Sequence, residues 1–162
     1  MSDLHTLSLL VENKPGVLTR VTSLIARRGY NIASLAVDRV EDPTLSRVTI
    51  VVEADATPTE QIIKQLHKLV DVHKIYRLDD EDSVSRELAL FKVAVTPDQR
   101  PEIISITNVY RARVLDISPD SMIIEATGNG NKLDTMEGLL REYGIKEIVR
   151  TGKVALSRGL RD

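Results

Sequence analysis

Cysteine and tryptophan are absent from the 162 residues, and the aromatic side chains are four tyrosines and one phenylalanine. Without cysteine there is no disulfide, no thiol nucleophile and no thiolate metal site, which suits a reducing cytosol. An excess of one charge is also missing. Lys and Arg number 22 against 24 Asp and Glu, a net charge of -2, so the composition offers no basic field for a polyanion. Nor does any run approach the ~20 apolar residues that a membrane-spanning helix needs, and Asp3 and His5 interrupt the start of the chain. What is present is 42% apolar residues, sufficient for one core or two small ones. The expectation is a cytoplasmic globular protein.

The chain is organised around Asn13-Lys14-Pro15-Gly16-Val17-Leu18-Thr19-Arg20-Val21 and the closing Arg27-Arg28-Gly29-Tyr30-Asn31-Ile32. Before it, Leu7, Leu9 and Val11 alternate along Thr6–Glu12, the pattern of a half-buried strand. Asn13 is a good cap residue and Pro15 suits a first helical turn. Val17, Val21, Leu24, Ile25 and Arg28 follow helical spacing, and Gly29 stands where helices end in a left-handed turn. A strand, a tight loop and an open helix N-terminus result. Gly16 leaves room for a ligand to approach free N–H groups that favour a carboxylate. An ordinary capped turn has the same local pattern.

Further along, Ile32–Val40 reads as a second strand, Glu41–Thr44 as a turn and Arg47–Glu53 as a β-branched third strand. Thr57-Pro58-Thr59-Glu60 carries a capping box, and Ile62, Ile63, Leu66, Leu69 and Val70 continue an amphipathic helix. Val72–Leu78 completes a β-α-β-β-α-β order, a split βαβ unit. The acidic run Asp79–Ser83 is the natural linker. Then Arg86–Val95 is a strand, Pro101 opens a helix with Ile103, Ile106 and Val109, and Ala112–Ile117 and Ser121–Thr127 are strands about a Pro119-Asp120 turn. Asn131 caps a helix bearing Leu133, Met136, Leu139, Leu140 and Tyr143, and Ile145–Arg150 is the last clear strand. The fold class is therefore α+β, with two ferredoxin-like βαββαβ domains in tandem at residues 1–80 and 84–162.

Catalytic and metal-binding patterns are weak. Gly128-Asn129-Gly130-Asn131-Lys132 lacks both the P-loop ending and the dinucleotide spacing, and reads as a plain turn. His5, His67 and His73 do not show the i,i+4 spacing of a helical metal pair. No serine occupies a nucleophile elbow. The first and third strands carry no aromatic residue for stacking bases.

The central stretch resembles the signature of ACT domains, amino-acid-sensing modules of metabolic regulation. More specifically, the chain resembles the regulatory small subunit of acetohydroxyacid (acetolactate) synthase. Supporting stretches are Asp42-Pro43-Thr44-Leu45-Ser46-Arg47, Lys64–Val72, and Gly152-Lys153-Val154-Ala155-Leu156-Ser157-Arg158-Gly159. The resemblance implies that residues 1–80 form an effector-binding ACT domain, with L-valine as the usual inhibitor. It implies a site at Asn13, Lys14, Pro15, Gly16, Val17, Leu18, Asn31 and Ile32. It also implies a non-catalytic chain without a cofactor, partnered with a catalytic large subunit that carries thiamine diphosphate, magnesium and FAD. No nucleic acid or membrane partner is implied. The alternative is an ACT-type sensor acting on another metabolic enzyme.

Geometry adds an expectation. In a sheet ordered 4-1-3-2 the first helix runs from one end to the other, so Asn13 and Asn31 cannot reach one small ligand within a chain. The second strand is an edge, and edges tend to be paired. Antiparallel pairing with a second copy would bring the partner's Asn31 to the Asn13–Gly16 loop, giving a homodimer through the first domain with shared sites.

Overall fold

The computed structural model describes residues 3–54 and 59–160. It divides into two compact units, one formed by residues 1–84 together with 153–162, the other by residues 85–152. The expected blocks were 1–80 and 84–162; residues 153–160 cluster with the first unit instead of the second.

In the first unit the order is β1 (Asp3–Glu12), α1 (Val17–Arg27), β2 (Asn31–Arg39), β3 (Leu45–Ala54), α2 (Thr59–His67) and β4 (Val72–Leu78). The sheet runs β2-β3-β1-β4, antiparallel throughout, which is the expected split order with β2 at an edge. Leu7, Leu9 and Val11 lie on the face that meets the helices, opposite Ile50 and Val48 of β3. Val17, Val21, Leu24 and Ile25 of α1 and Ile62 and Leu66 of α2 close this core. Burying each large aliphatic side chain contributes about 1.5–3 kcal/mol, and six helical residues of this kind explain why both helices dock on one face.

Helix α1 ends in a Schellman turn. Gly29 adopts φ 83°, its N–H reaches Ala26 O, and Tyr30 N–H reaches Ile25 O. Its start departs from expectation. The cap is Gly16, at φ 87°, and not Asn13; Pro15 precedes the helix and does not open it. Thr57 and Pro58 of the expected capping box lie outside the described residues. Helix α2 ends at His67, so Leu69 packs from a turn and Val70 is 91% exposed instead of continuing the apolar face.

The second unit repeats the topology with β5 (Ser83–Ala94), α3 (Arg100–Val109), β6 (Arg113–Ser118), β7 (Ser121–Gly128), α4 (Gly130–Arg141) and β8 (Ile145–Arg150). Its sheet is ordered β6-β7-β5-β8, and its core gathers Ala89, Phe91, Val93, Ile103, Met122, Ile124, Leu133, Met136 and Leu140. Val109 is 77% exposed, at the end of α3, and does not join that core. Asn129, not Asn131, caps α4: its side-chain oxygen accepts from Lys132 N–H at 2.9 Å.

One strand was not anticipated. Residues Val154–Ser157 form β9 after the strand read as the last. Arg158 N–H then donates to Asp82 O at 2.7 Å, and Ala155 is buried.

Phe91, fully enclosed and the one phenylalanine of the chain, anchors the second core. Phe91→Ala is expected to destabilise that unit by about 3–5 kcal/mol. Urea unfolding followed by circular dichroism measures it; an unaltered midpoint would contradict the packing described.

Candidate functional site

Strand β1 delivers its last residue into a loop held from the side by the β2–β3 hairpin. Asn13 N–H donates to Thr44 O at 2.7 Å and its side-chain amide to Pro43 O at 3.1 Å. The hairpin is itself tied: the Thr44 N–H and hydroxyl donate to Asp42 Oδ1 at 2.9 and 2.7 Å. Those two bonds, the hydroxyl's first, hold the Asp42 carboxyl below its usual pKa. A depressed carboxylate of this kind favours the folded turn at neutral pH, and that contribution fades only as pH falls through the lowered value. The hydrogen bonding of Asn13, which the sequence suggests for a helix, is spent on this turn.

Beyond Asn13, residues Lys14, Pro15 and Gly16 are exposed. Val17 N–H makes a long 3.4 Å bond to Lys14 O, whereas the N–H groups of Gly16, Leu18 and Thr19 have no acceptor among the described residues. Gly16 is required twice over. Its φ of 87° is left-handed, and a Cβ there would stand 3.1 Å from Arg20 Nη1. The Arg20 guanidinium is fixed by Asp71, with Nε at 3.0 Å and Nη2 at 2.6 Å from Oδ2. The loop therefore presents unpaired N–H groups and a nearby guanidinium, an arrangement suited to a small carboxylate.

Of the eight expected site residues, six share this loop. Val17, however, is 2% exposed and its side chain belongs to the core, so only its backbone can face a ligand. Leu18 is 38% exposed beside it. Asn31 and Ile32 lie elsewhere. Asn31 stands opposite Glu53, and its amide donates to Glu53 Oε2 at 3.0 Å. Ile32 packs partly against the core. Asn13 is bonded to Thr44, nine residues before Glu53, which at ~3.3 Å per residue sets the two ends ~30 Å apart. One chain does not bring Asn13 and Asn31 to one ligand.

Sequence reasoning did not find Arg20, Asp71, Asp42 or Glu53. Arg20 reads as an ordinary outer-face residue, and its partner lies 51 positions away. The position i+4 from Gly16 was the available signal.

Other candidates fall into structural roles. His5 Nδ1 lies 3.0 Å from Thr59 Oγ1, and His73 Nε2 lies 2.9 Å from Glu12 Oε1. The Gly128–Lys132 stretch is a capped helix start. Among the described residues, no group of three His, Asp or Glu could hold a metal, and no helix is long and apolar enough to cross a membrane.

Comparison with known proteins agrees with this layout. Residues 7–74 match the family described as AHAS small subunit-like ACT domain, and residues 86–159 match the small subunit of acetolactate synthase. The chain is 55% identical over 157 residues to the acetolactate synthase small subunit of Mycobacterium bovis, covering 97% of this chain and 94% of that one. It is 54% identical to a probable acetolactate synthase small subunit of Archaeoglobus fulgidus, covering 96% and 97%. The crystal structure of the acetolactate synthase small subunit from Thermotoga maritima superposes with a TM-score of 0.89 at 42% identity, covering 98% of this chain and 99% of that one. The ACT-type loop, the split sheet and near full-length relatives at these identities make the chain a member of the acetolactate synthase small subunit family.

Proposed function

We propose that this chain activates a separate catalytic subunit of acetolactate synthase and confers feedback inhibition by valine. The catalytic subunit would carry thiamine diphosphate, magnesium and FAD, while this chain contributes no cofactor and acts in the cytoplasm. The observation that carries the reading is the ~30 Å between Asn13 and Asn31, combined with the edge position of β2. Two antiparallel copies of β2, centred near Leu35, would set each Asn31 beside the partner copy's Arg39. That is the end at which Asn13 and the Pro43-Thr44 turn sit. The valine carboxylate would take the free N–H groups at Gly16, Leu18 and Thr19. The partner copy's Asn31 and Ile32 would close the site, and one amide would bond the ligand. Ligand binding and dimer geometry are then thermodynamically linked.

Calorimetric titration of the purified chain with valine, leucine and isoleucine tests the reading, alongside reconstitution with a catalytic subunit. Activation with valine-sensitive turnover is expected; activation without any branched-chain effector response would refute the sensor role.

Gly16→Asp is expected to abolish the valine response. The left-handed backbone costs a side chain about 1–2 kcal/mol, the new Cβ crowds Arg20, and the carboxylate competes for the same N–H groups. Retention of the original inhibition midpoint in this variant would place the site elsewhere.

Asn31→Ala should weaken valine binding by about 1–3 kcal/mol, the range for leaving a polar partner unpaired. Mixing Gly16→Asp chains with Asn31→Ala chains provides the sharper check. A heterodimer with shared sites keeps one intact site and one doubly damaged site, so part of the response should return. Equal loss in mixed and unmixed samples, with exchange verified by mass spectrometry, would exclude a shared site.

A further inference from the structure

The outer face of the first sheet is not bare. Lys153, which groups with the first unit, lies across it. Its backbone N–H donates to Ser34 Oγ at 2.7 Å, and its ammonium donates to Thr6 Oγ1 at 3.0 Å and stands 3.7 Å from Asp80 Oδ1. The register gives these contacts a common line. Thr6 opposes Val51 in β1–β3, and Ser34 opposes the same Val51 in β2–β3. Thr6, Val51 and Ser34 therefore form one cross-strand row on the outer face. Leu7, Ile50 and Leu35 form the adjacent row on the core face. The ends of the outer row are two strand spacings apart, ~9.5 Å, and one lysine bridges them, bonded at its backbone and at its tip.

Ser34 follows an irregularity in β2. Ile32 opposes Val52 and Ser34 opposes Val51, so Ala33 is an extra residue, a β-bulge. Ordinary alternation would place residues 32 and 34 on the same face. The bulge turns Ile32 inward to the core and Ser34 outward to Lys153. Asn31, opposite Glu53, occupies the next outward-facing row, ~7 Å from that of Ser34. A part-buried backbone N–H and a mostly enclosed ammonium both favour having partners. With the Lys153 side chain only 20% exposed, those preferences hold Ser34 in place.

We infer that Lys153 is a positioning residue for the effector site: by fastening Ser34 it fixes the bulge at Ala33 and with it the direction of Asn31. The inference rests on the effector reading given above, and adds that the C-terminal segment completes the half of the site carried by β2. Loss of the Ser34 hydroxyl removes the fastening bond, and loss of the ammonium removes the anchor at Thr6 that keeps the Lys153 N–H against Ser34; neither alters a residue proposed to touch the ligand.

The test compares the full-length parent chain with Lys153→Met, Ser34→Ala and Lys153→Arg. Two readouts are taken, calorimetric valine affinity and amide hydrogen exchange of Asn31–Leu35 without ligand. In Lys153→Met and Ser34→Ala, valine affinity should fall about five- to thirty-fold, with exchange in β2 faster by a similar factor. Lys153→Arg, which keeps a cationic donor, should recover most of both. Parent binding of valine with an unchanged affinity in Lys153→Met would overturn this inference while leaving the effector reading intact, even if the melting temperature fell. Unchanged exchange across Asn31–Leu35 would overturn it equally. Failure of the parent chain itself to bind valine would instead refute the effector reading, and the assignment of Lys153 with it.

Discussion

The pairing of β1 with β3 is the constraint on which the first unit depends. Ten consecutive residue pairs run from Asp3 opposite Ala54 to Glu12 opposite Leu45. Because side chains alternate, a slip of one residue would exchange faces against β3. The apolar row of Leu7, Leu9 and Val11 would no longer meet Ile50 and Val48, and α1 would lose the surface on which Val17, Val21, Leu24 and Ile25 rest. The same register determines what happens at the ends. It places Asn13 beside the Pro43-Thr44 turn, while the separate register of β2 on β3 places Asn31 beside Glu53. The separation of the two asparagines is thus a consequence of core packing.

Much of this was legible because it is local and periodic. Alternation in β1, the β-branched run of β3, the helical spacing from Val17 to Ile25 and the stop at Gly29 are patterns that a few neighbouring residues express. The strand order followed from recognising the split unit, and the edge position of β2 followed from the order. What escaped is long-range. Asn13 has the chemistry of a cap, yet its amide finds Pro43, thirty positions away, and the helix starts at Gly16 instead. Asn131 and Asn129 are both plausible caps by type, and only the backbone path into α4 selects Asn129. Val70 and Val109 fit their helical patterns but fall where the helices end. Lys153 has no local signature, since Ser34 lies 119 positions upstream.

The helix starts show a contrast with functional meaning. The segment before α3 has a reciprocal capping box between Thr96 and Gln99, and α4 is capped by Asn129. Helix α1 has no side-chain cap at all. A missing cap typically costs about 1 kcal/mol, and Asn13 stands three residues before Gly16 with suitable chemistry bound elsewhere. The starts of α4 and of the short turn leading into α3 have side-chain acceptors, whereas the start of α1 leaves N–H groups available. Among the described helix starts, capping chemistry sets α1 apart, which fits the ligand role proposed for its loop.

A shared site also has consequences for concentration. If valine binds only where two copies of β2 meet, ligand and dimer reinforce one another by mass action. At a hundred times its dissociation constant, valine would add ~2.7 kcal/mol per site to the dimer. The bulge at Ala33 gives that coupling a physical location. It lies between Asn31, facing the proposed ligand, and Ser34, held by Lys153. A change in how the edge strand pairs must be accommodated at the bulge, because the regular ladder on either side fixes the remaining residues of β2 to β3. Through Lys153 the same adjustment reaches Thr6 in the middle of the sheet and Asp80 after β4. An edge strand laddered to β3 and held at Ser34 by Lys153 has few ways to move, and on the effector reading this would restrict the response to a small set of geometries.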